Sequence, residues 1–109
     1  MVVFEIKLPK SKDPETFAAF MREEYMPAIH KGPTRRGTVT SVALSQRRNL
    51  HAGDDFARSF LMRVGWEGVE LDDLPRIDGD AVNAKLDSFK LRVKCLGEFD
   101  RVANWQAAA

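Results

Sequence analysis

Apolar and polar residues alternate in four segments of the chain, and alternation of this kind predicts β-strands. The clearest example is Val2 to Leu8, in which every second residue is apolar and Glu5 and Lys7 lie between them. The other three segments are Gly37 to Gln46, Phe56 to Trp66 and Lys90 to Phe99. Because successive side chains of a strand point to opposite faces, each predicted strand has one face suited to a core.

Two other segments carry apolar residues at helical spacing and predict helices. Asp13 can cap the first helix, with Pro14 at its first position. Pro27 cannot donate a backbone hydrogen bond, so this helix is predicted to kink or loosen near Met26. The second helix is predicted over Asp80 to Phe89, capped by Asp78 or Asp80.

The resulting order, β-α-β-β-α-β, predicts an α+β fold of the ferredoxin-like type in a single domain over residues 1–106, followed by a tail at 107–109. In this plan a four-stranded antiparallel sheet has both helices on one face, and its first and third strands are adjacent and central. The other face has no cover within one chain. It mixes apolar residues with Glu5 and Arg63, which predicts a homodimer.

The segments VVFEIKL, DPETFAAFMREEYMPA, RGTVTSVALSQ and FARSFLMRVGWEG resemble the dimeric α+β barrel superfamily. That superfamily includes antibiotic-biosynthesis-type monooxygenases, haem-degrading monooxygenases, EthD-like proteins and NIPSNAP-like proteins. Trp66, followed by Glu67 and Gly68, is similar to the tryptophan that ends a strand in the monooxygenase branch. The resemblance implies two sheets facing each other across a twofold axis. It also implies a pocket inside the barrel or between the sheet and its helices.

One departure from the resemblance concerns haem. The haem-degrading members have a histidine on the helix after that tryptophan and an asparagine in the first strand. Here the segment from Gly68 to Phe89 has no histidine, and Glu5 and Lys7 stand in the first strand. We therefore expect no haem.

Composition excludes several other function classes. The chain has 109 residues with 17 basic and 16 acidic side chains, so no overall field attracts nucleic acid. No apolar run is long enough to span a membrane, and the N-terminus does not resemble a signal peptide, which predicts a cytoplasmic protein. One cysteine and aspartates without a metal-loop spacing predict no bound metal and no cofactor.

Seven residues are candidates for a site. His30, at the end of the first helix, is either a general base or a cation that complements the helix C-terminus. Glu5 and Arg63 are expected to form a cross-strand ion pair, either as the polar floor of a cavity or as a dimer contact. A pocket for a small apolar or aromatic ligand would be lined by Phe20, Tyr25, Met62 and Trp66.

Two functions remain open at this point. The first is a dimeric module that binds a small molecule or only assembles. The second is a cofactor-independent monooxygenase or isomerase acting on a small aromatic or polyketide-like substrate, with His30 as proton acceptor. No motif of a serine or cysteine nucleophile, or of a phosphate loop, is present.

Overall fold

The computed structural model of the chain describes residues 1–31, 34, 37–47, 58–77, 79–100 and 102–103. The strands are β1 Val2–Lys7, β2 Gly37–Gln46, β3 Ser59–Gly68 and β4 Arg92–Glu98. The helices are α1 Pro14–Phe20, α2 Met26–Lys31 and α3 Ala81–Ser88, with a π-helical segment, Met21–Tyr25, joining α1 to α2. Asp78 and the predicted tail at 107–109 lie outside the described residues.

The four strands form one antiparallel sheet in the order β2-β3-β1-β4. The α+β class is therefore confirmed, and the central position of β1 and β3 is compatible with the ferredoxin-like plan. β3 begins at Ser59 and ends at Gly68, two residues beyond the predicted end at Trp66. β4 is shorter than predicted, because Lys90 adopts a left-handed conformation with φ of 53° before the strand begins.

One face of the sheet and the helices enclose a single hydrophobic core. Alternate residues of β1 and β3 are buried there, as the alternation of the sequence predicts, and Phe4, Ile6 and Met62 are completely buried. The helical residues of this core come from α1, the π segment, α2 and α3: Phe17, Phe20, Met21, Tyr25, Ile29, Val82 and Leu86. All helical segments therefore pack on the same face of the sheet.

The first helix begins as predicted, and it loosens into a π turn that ends at Tyr25, next to the predicted position Met26. The carboxylate of Asp13 accepts a hydrogen bond of 2.9 Å from the backbone N–H of Thr16, which caps α1. The backbone N–H of Met26 donates to the carbonyl of Met21, five residues back, and this closes the wider π turn. Pro27 explains the position of this turn, because it has no N–H to donate to the carbonyl of Glu23.

Three side chains attach the segment between β3 and α3 to the helices. Tyr25 donates a 2.7 Å hydrogen bond to the carbonyl of Pro75. Arg76 forms a 2.7 Å ion pair with Asp87 of α3, and this hydrogen bond raises the pKa of Arg76 further above its usual value. Asp80 caps α3, because its carboxylate accepts from the N–H of Val82 at 2.9 Å. The segment is therefore held at three points despite having no regular structure.

Across the described residues, every helix is too short or too polar to cross a lipid bilayer.

Candidate functional site

The residues predicted to line an apolar pocket do not have a common environment. Phe20, Tyr25 and Met62 belong to the core, with exposed fractions of 3%, 0% and 0%. The rings of Phe20 and Tyr25 lie 6.4 Å apart, centroid to centroid, so these two are brought together. Their role in ligand binding stays a prediction, because in this structure they present almost no surface to a ligand.

Tyr25 is the most constrained of these side chains. Its ring is buried, and its hydroxyl donates to the carbonyl of Pro75 at 2.7 Å. Burial raises the pKa of Tyr25 far above its usual value; the positive charge of Arg76 opposes this shift and the negative charge of Asp73 adds to it. The hydroxyl therefore stays protonated at neutral pH and acts as a structural donor.

His30 lies on α2 and is exposed to solvent. Tyr25, five residues earlier, is completely buried. The structure therefore does not bring His30 into the buried cluster of Phe20 and Tyr25. Its predicted role as a base stays untested.

Trp66 lies near the end of β3, as its position in the sequence predicted, and packs half-buried against the edge of the core. Its indole N–H donates to the carbonyl of Val69 at 2.8 Å. It lines a cavity of about 380 Å³ together with Val2, Leu71 and Cys95. Gly37 is required beside it, since a Cβ there would come within 2.8 Å of the Trp66 ring.

Cys95 is half-buried. Its thiol lies 3.7 Å from the carbonyl of Leu71, at the distance of a weak S–H hydrogen bond. The reason is the position of β4 at the edge of the sheet, where the helices cover less of the strand.

We call the face of the sheet opposite the helices the open face. From the pairing registers, its members are Val3, Glu5, Lys7, Thr38, Ser41, Ala43, Ser45, Ser59, Leu61, Arg63, Gly65, Glu67, Arg92 and Lys94, and the alternation along β4 adds Leu96. Four of these described residues are cations and two, Glu5 and Glu67, are acids. The open face is therefore a mixed surface with an excess of positive charge.

The ion pair predicted between Glu5 and Arg63 is not formed among the described residues. Glu5 lies directly opposite Leu61, and Arg63 lies opposite Val3, so the two charges are diagonal neighbours. Glu5 instead lies 3.8 Å from Lys7 of its own strand, and the guanidinium of Arg63 lies 3.4 Å from the hydroxyl of Ser45. Both residues nevertheless belong to the open face, as predicted.

Two grooves adjoin the end of the sheet where β1 finishes. The first, of about 340 Å³, is on the open face and includes Glu5, Ser45 and Leu61. The second has a volume of about 490 Å³, and we call it the basic groove. Its lining residues are Lys7, Leu8, Pro9, Lys10, Arg58, Ser59, Lys90 and Arg92.

Sequence reasoning missed the basic groove. Its cations come from three separate regions of a chain whose total charge is close to neutral, so no local run of charge marks them. One signal was available in principle: Lys7 precedes the turn that carries Lys10, and Lys90 and Arg92 begin the fourth strand. Only the antiparallel pairing of β1 with β4 brings the two pairs to the same end.

Within the described residues, no group of three or more His, Cys, Asp or Glu side chains is placed to hold a metal ion. Comparison of the chain with protein-family models, with curated proteins and with solved structures gave no match in any of the three.

Proposed function

We propose that this chain is a small-molecule-binding module that assembles as a homodimer through the open face, in the manner of a ferredoxin-like dimeric α+β barrel. The observation that carries the proposal is the one-sided packing of the sheet. The helices cover one face, and on the open face Leu96 stays exposed and Leu61 half-buried among the described residues.

The apolar part of the open face supports this assembly. Leu96 is 39% exposed, which is unusual for a large apolar side chain on a sheet, and Leu61 is half-buried. A twofold interface places the same patch of each copy against the other, so one apolar strip can cover itself. The polar residues around it suit an interface that also encloses a ligand.

The groove that includes Glu5 and Leu61 is the proposed ligand site. Its volume of about 340 Å³ is near the lower end of the range for small-molecule pockets, which runs from about 300 to 1,000 Å³. Its lining combines apolar Leu61 and Phe60 with the carboxylate of Glu5, the polar side chains of Ser45, Gln46 and Ser59, and two cations, Lys7 and Arg47. Such a lining suits a small ligand with an apolar body and one or two polar groups.

The assembly is tested by measuring the mass of the purified chain with multi-angle light scattering at micromolar concentration. We expect about twice the chain mass of 12.3 kDa. The variant Leu96→Lys adds a cation to the interface and removes an apolar contact. The dissociation constant of its dimer should therefore rise at least about tenfold, which corresponds to a loss of roughly 1.4 kcal/mol in the free energy of association.

Val69→Lys is the matched control, because Val69 is 62% exposed and lies outside the open face. This variant should keep the dimer. A wild-type mass equal to one chain would contradict the proposal, and so would equal weakening by the two variants.

The alternative, a cofactor-independent monooxygenase or isomerase with His30 as base, stays a prediction. The packing favours it less, because Phe20, Tyr25 and Met62 have almost no exposed surface while His30 is exposed. A catalytic base must come within hydrogen-bond distance of the substrate, and those buried side chains cannot receive a substrate without a rearrangement.

A further inference from the structure

The described residues that line the basic groove concentrate positive charge. Of its eight lining residues, five are cations and none is an acid: Lys7, Lys10, Arg58, Lys90 and Arg92. Lys10, Lys90 and Arg92 form no ion pair with any described residue, and Lys7 makes only a loose contact of 3.8 Å with Glu5. Like charges gathered in this way repel one another, so the arrangement lowers the stability of the free protein.

Arg58 is held in place by the backbone of the neighbouring turn. Its guanidinium donates to the carbonyl of Pro9 at 2.9 Å and also to the carbonyl of Lys12. The pKa of Asp13 is lowered, mainly by hydrogen bonds from Thr16. The positive charge of Arg58 lowers it by a smaller amount. The turn that carries Lys10 is therefore fixed against Arg58, and two cations of the groove have a defined relative position.

Lys90 has a backbone conformation that its side chain disfavours. Its φ of 53° is in the left-handed region, immediately after the C-terminus of α3, and its N–H donates to the carbonyl of Asp87 at 3.0 Å. Glycine is the usual residue at such a position, since other residues bear a steric penalty there. The chain has a lysine at this position, and that lysine lines the basic groove.

Lys7 and Arg92 add a further unfavourable pair. They lie directly opposite each other on β1 and β4, where like charges destabilise a sheet. A left-handed lysine and two facing cations thus occur in one groove, and an anionic ligand would offset the repulsion between the facing cations. This coincidence, more than the number of cations, points to a binding site.

We infer that the basic groove binds a small molecule that carries two or more adjacent phosphate groups. A single carboxylate would leave most of the positive charge unpaired, whereas a diphosphate presents several negative oxygens to several cations. Guanidinium and ammonium groups are the usual phosphate ligands in proteins. The volume of about 490 Å³ fits a small molecule. The inference goes beyond the proposed dimer and does not depend on it.

The test is isothermal titration of the full chain with inorganic pyrophosphate at low salt and at about 0.15 M salt. We expect saturable binding of one pyrophosphate per chain, weaker at the higher salt because exposed charges are screened. Orthophosphate should bind more weakly than pyrophosphate. Binding to a single-stranded oligonucleotide but not to pyrophosphate would overturn the inference.

The decisive variant is Lys90→Gly, because its two expected effects have opposite signs. Relief of the left-handed conformation should raise the thermal midpoint of the free protein by about 2–5 °C, after allowance for the greater freedom of glycine in the unfolded chain. Loss of the cation should weaken pyrophosphate binding by about fivefold or more, as expected for a charge-assisted contact.

Lys94→Ala is the matched control, because it also removes one lysine charge close to β4. Lys94 lies on the open face and does not line the basic groove. This control should change pyrophosphate affinity by less than about twofold at the higher salt. Unchanged binding by Lys90→Gly would overturn the inference, and so would equal weakening by Lys94→Ala. The thermal midpoint would show whether Lys90→Gly binds weakly only because it is unfolded. In that case Lys10→Ala, on an exposed turn, takes its place, and it should weaken pyrophosphate binding by about fivefold or more. Because the ligand assay and the mass measurement are separate, failure of the dimer leaves this result interpretable.

Discussion

At the residue scale, Tyr25 shows how burial changes the role of a side chain. The sequence places it on the apolar side of a helix, where it could have been either a ligand contact or a packing residue. In the structure its ring is completely buried and its hydroxyl donates to the carbonyl of Pro75, fifty residues away in the chain. Its side chain therefore attaches the irregular segment before α3 to the π turn.

Tyr25→Phe should lower the free energy of unfolding by about 1–3 kcal/mol at neutral pH, because the buried carbonyl of Pro75 loses its donor. Burial raises the pKa of Tyr25 in the folded protein above its unfolded value. Its contribution is therefore fully present below about pH 10 and is lost as the pH rises further. The difference between wild type and variant, measured by denaturant unfolding, should shrink above about pH 10.

Tyr25 is the only tyrosine of the chain, so tyrosinate absorbance reports on it alone. In the native protein this absorbance should appear only at a pH well above the usual tyrosine pKa, or together with unfolding. Titration of the native protein near pH 10, without unfolding, would contradict the burial of this side chain.

At the element scale, β4 is an edge strand that places one opposite-charge pair and one like-charge pair against β1. Lys94 is directly opposite Glu5, which is a favourable cross-strand pair, whereas Arg92 is directly opposite Lys7, which is unfavourable. An edge strand with several cations also resists pairing with another sheet edge. The same residues that weaken the strand supply charge to the basic groove.

Arg92→Glu should therefore stabilise the fold by about 0.2–1 kcal/mol, because it places an acid opposite Lys7. Lys94→Glu makes the same change of charge two residues away and should destabilise by a similar amount, because it places an acid opposite Glu5. Thermal unfolding of both variants at low salt gives the comparison. Effects of the same sign in the two variants would contradict the observed register of β1 and β4.

At the scale of the whole molecule, charge and apolar surface oppose each other on the open face. The chain as a whole is close to neutral, but the open face has four cations and two acids among its described residues. Pairing two such faces covers Leu61 and Leu96 and at the same time brings like charges together. The proposed dimer should therefore depend on screening by salt or on an anion between the sheets.

We expect self-association of the wild-type chain to strengthen as the salt concentration rises from about 0.05 M to about 0.5 M, because the Debye length falls over this range. Sedimentation equilibrium at several salt concentrations measures the effect. Leu96→Lys should show a steeper dependence on salt than Val69→Lys. An association that weakens with salt would instead mean that favourable ion pairs across the interface dominate.

The sequence by itself determined the elements and the side of each strand that faces the core. The alternation at Val2 to Leu8 and the cap at Asp13 are local patterns, and both act through neighbours within a few residues. The effect of Pro27 on the helix was also predictable, because the missing N–H is a property of one residue. Its exact site, the π turn at Met21–Tyr25, was not predictable.

Only the tertiary structure decided which charges share a site. Glu5 and Arg63 were assigned to the correct face, but whether they pair depends on the register of β1 against β3, and an offset of two residues makes them diagonal neighbours. The basic groove depends on the same kind of information, since Arg58, Lys90 and the β1 end meet only when the sheet is complete. Local patterns fix the face of a residue, whereas distances between strands are fixed by pairing over long separations in the chain.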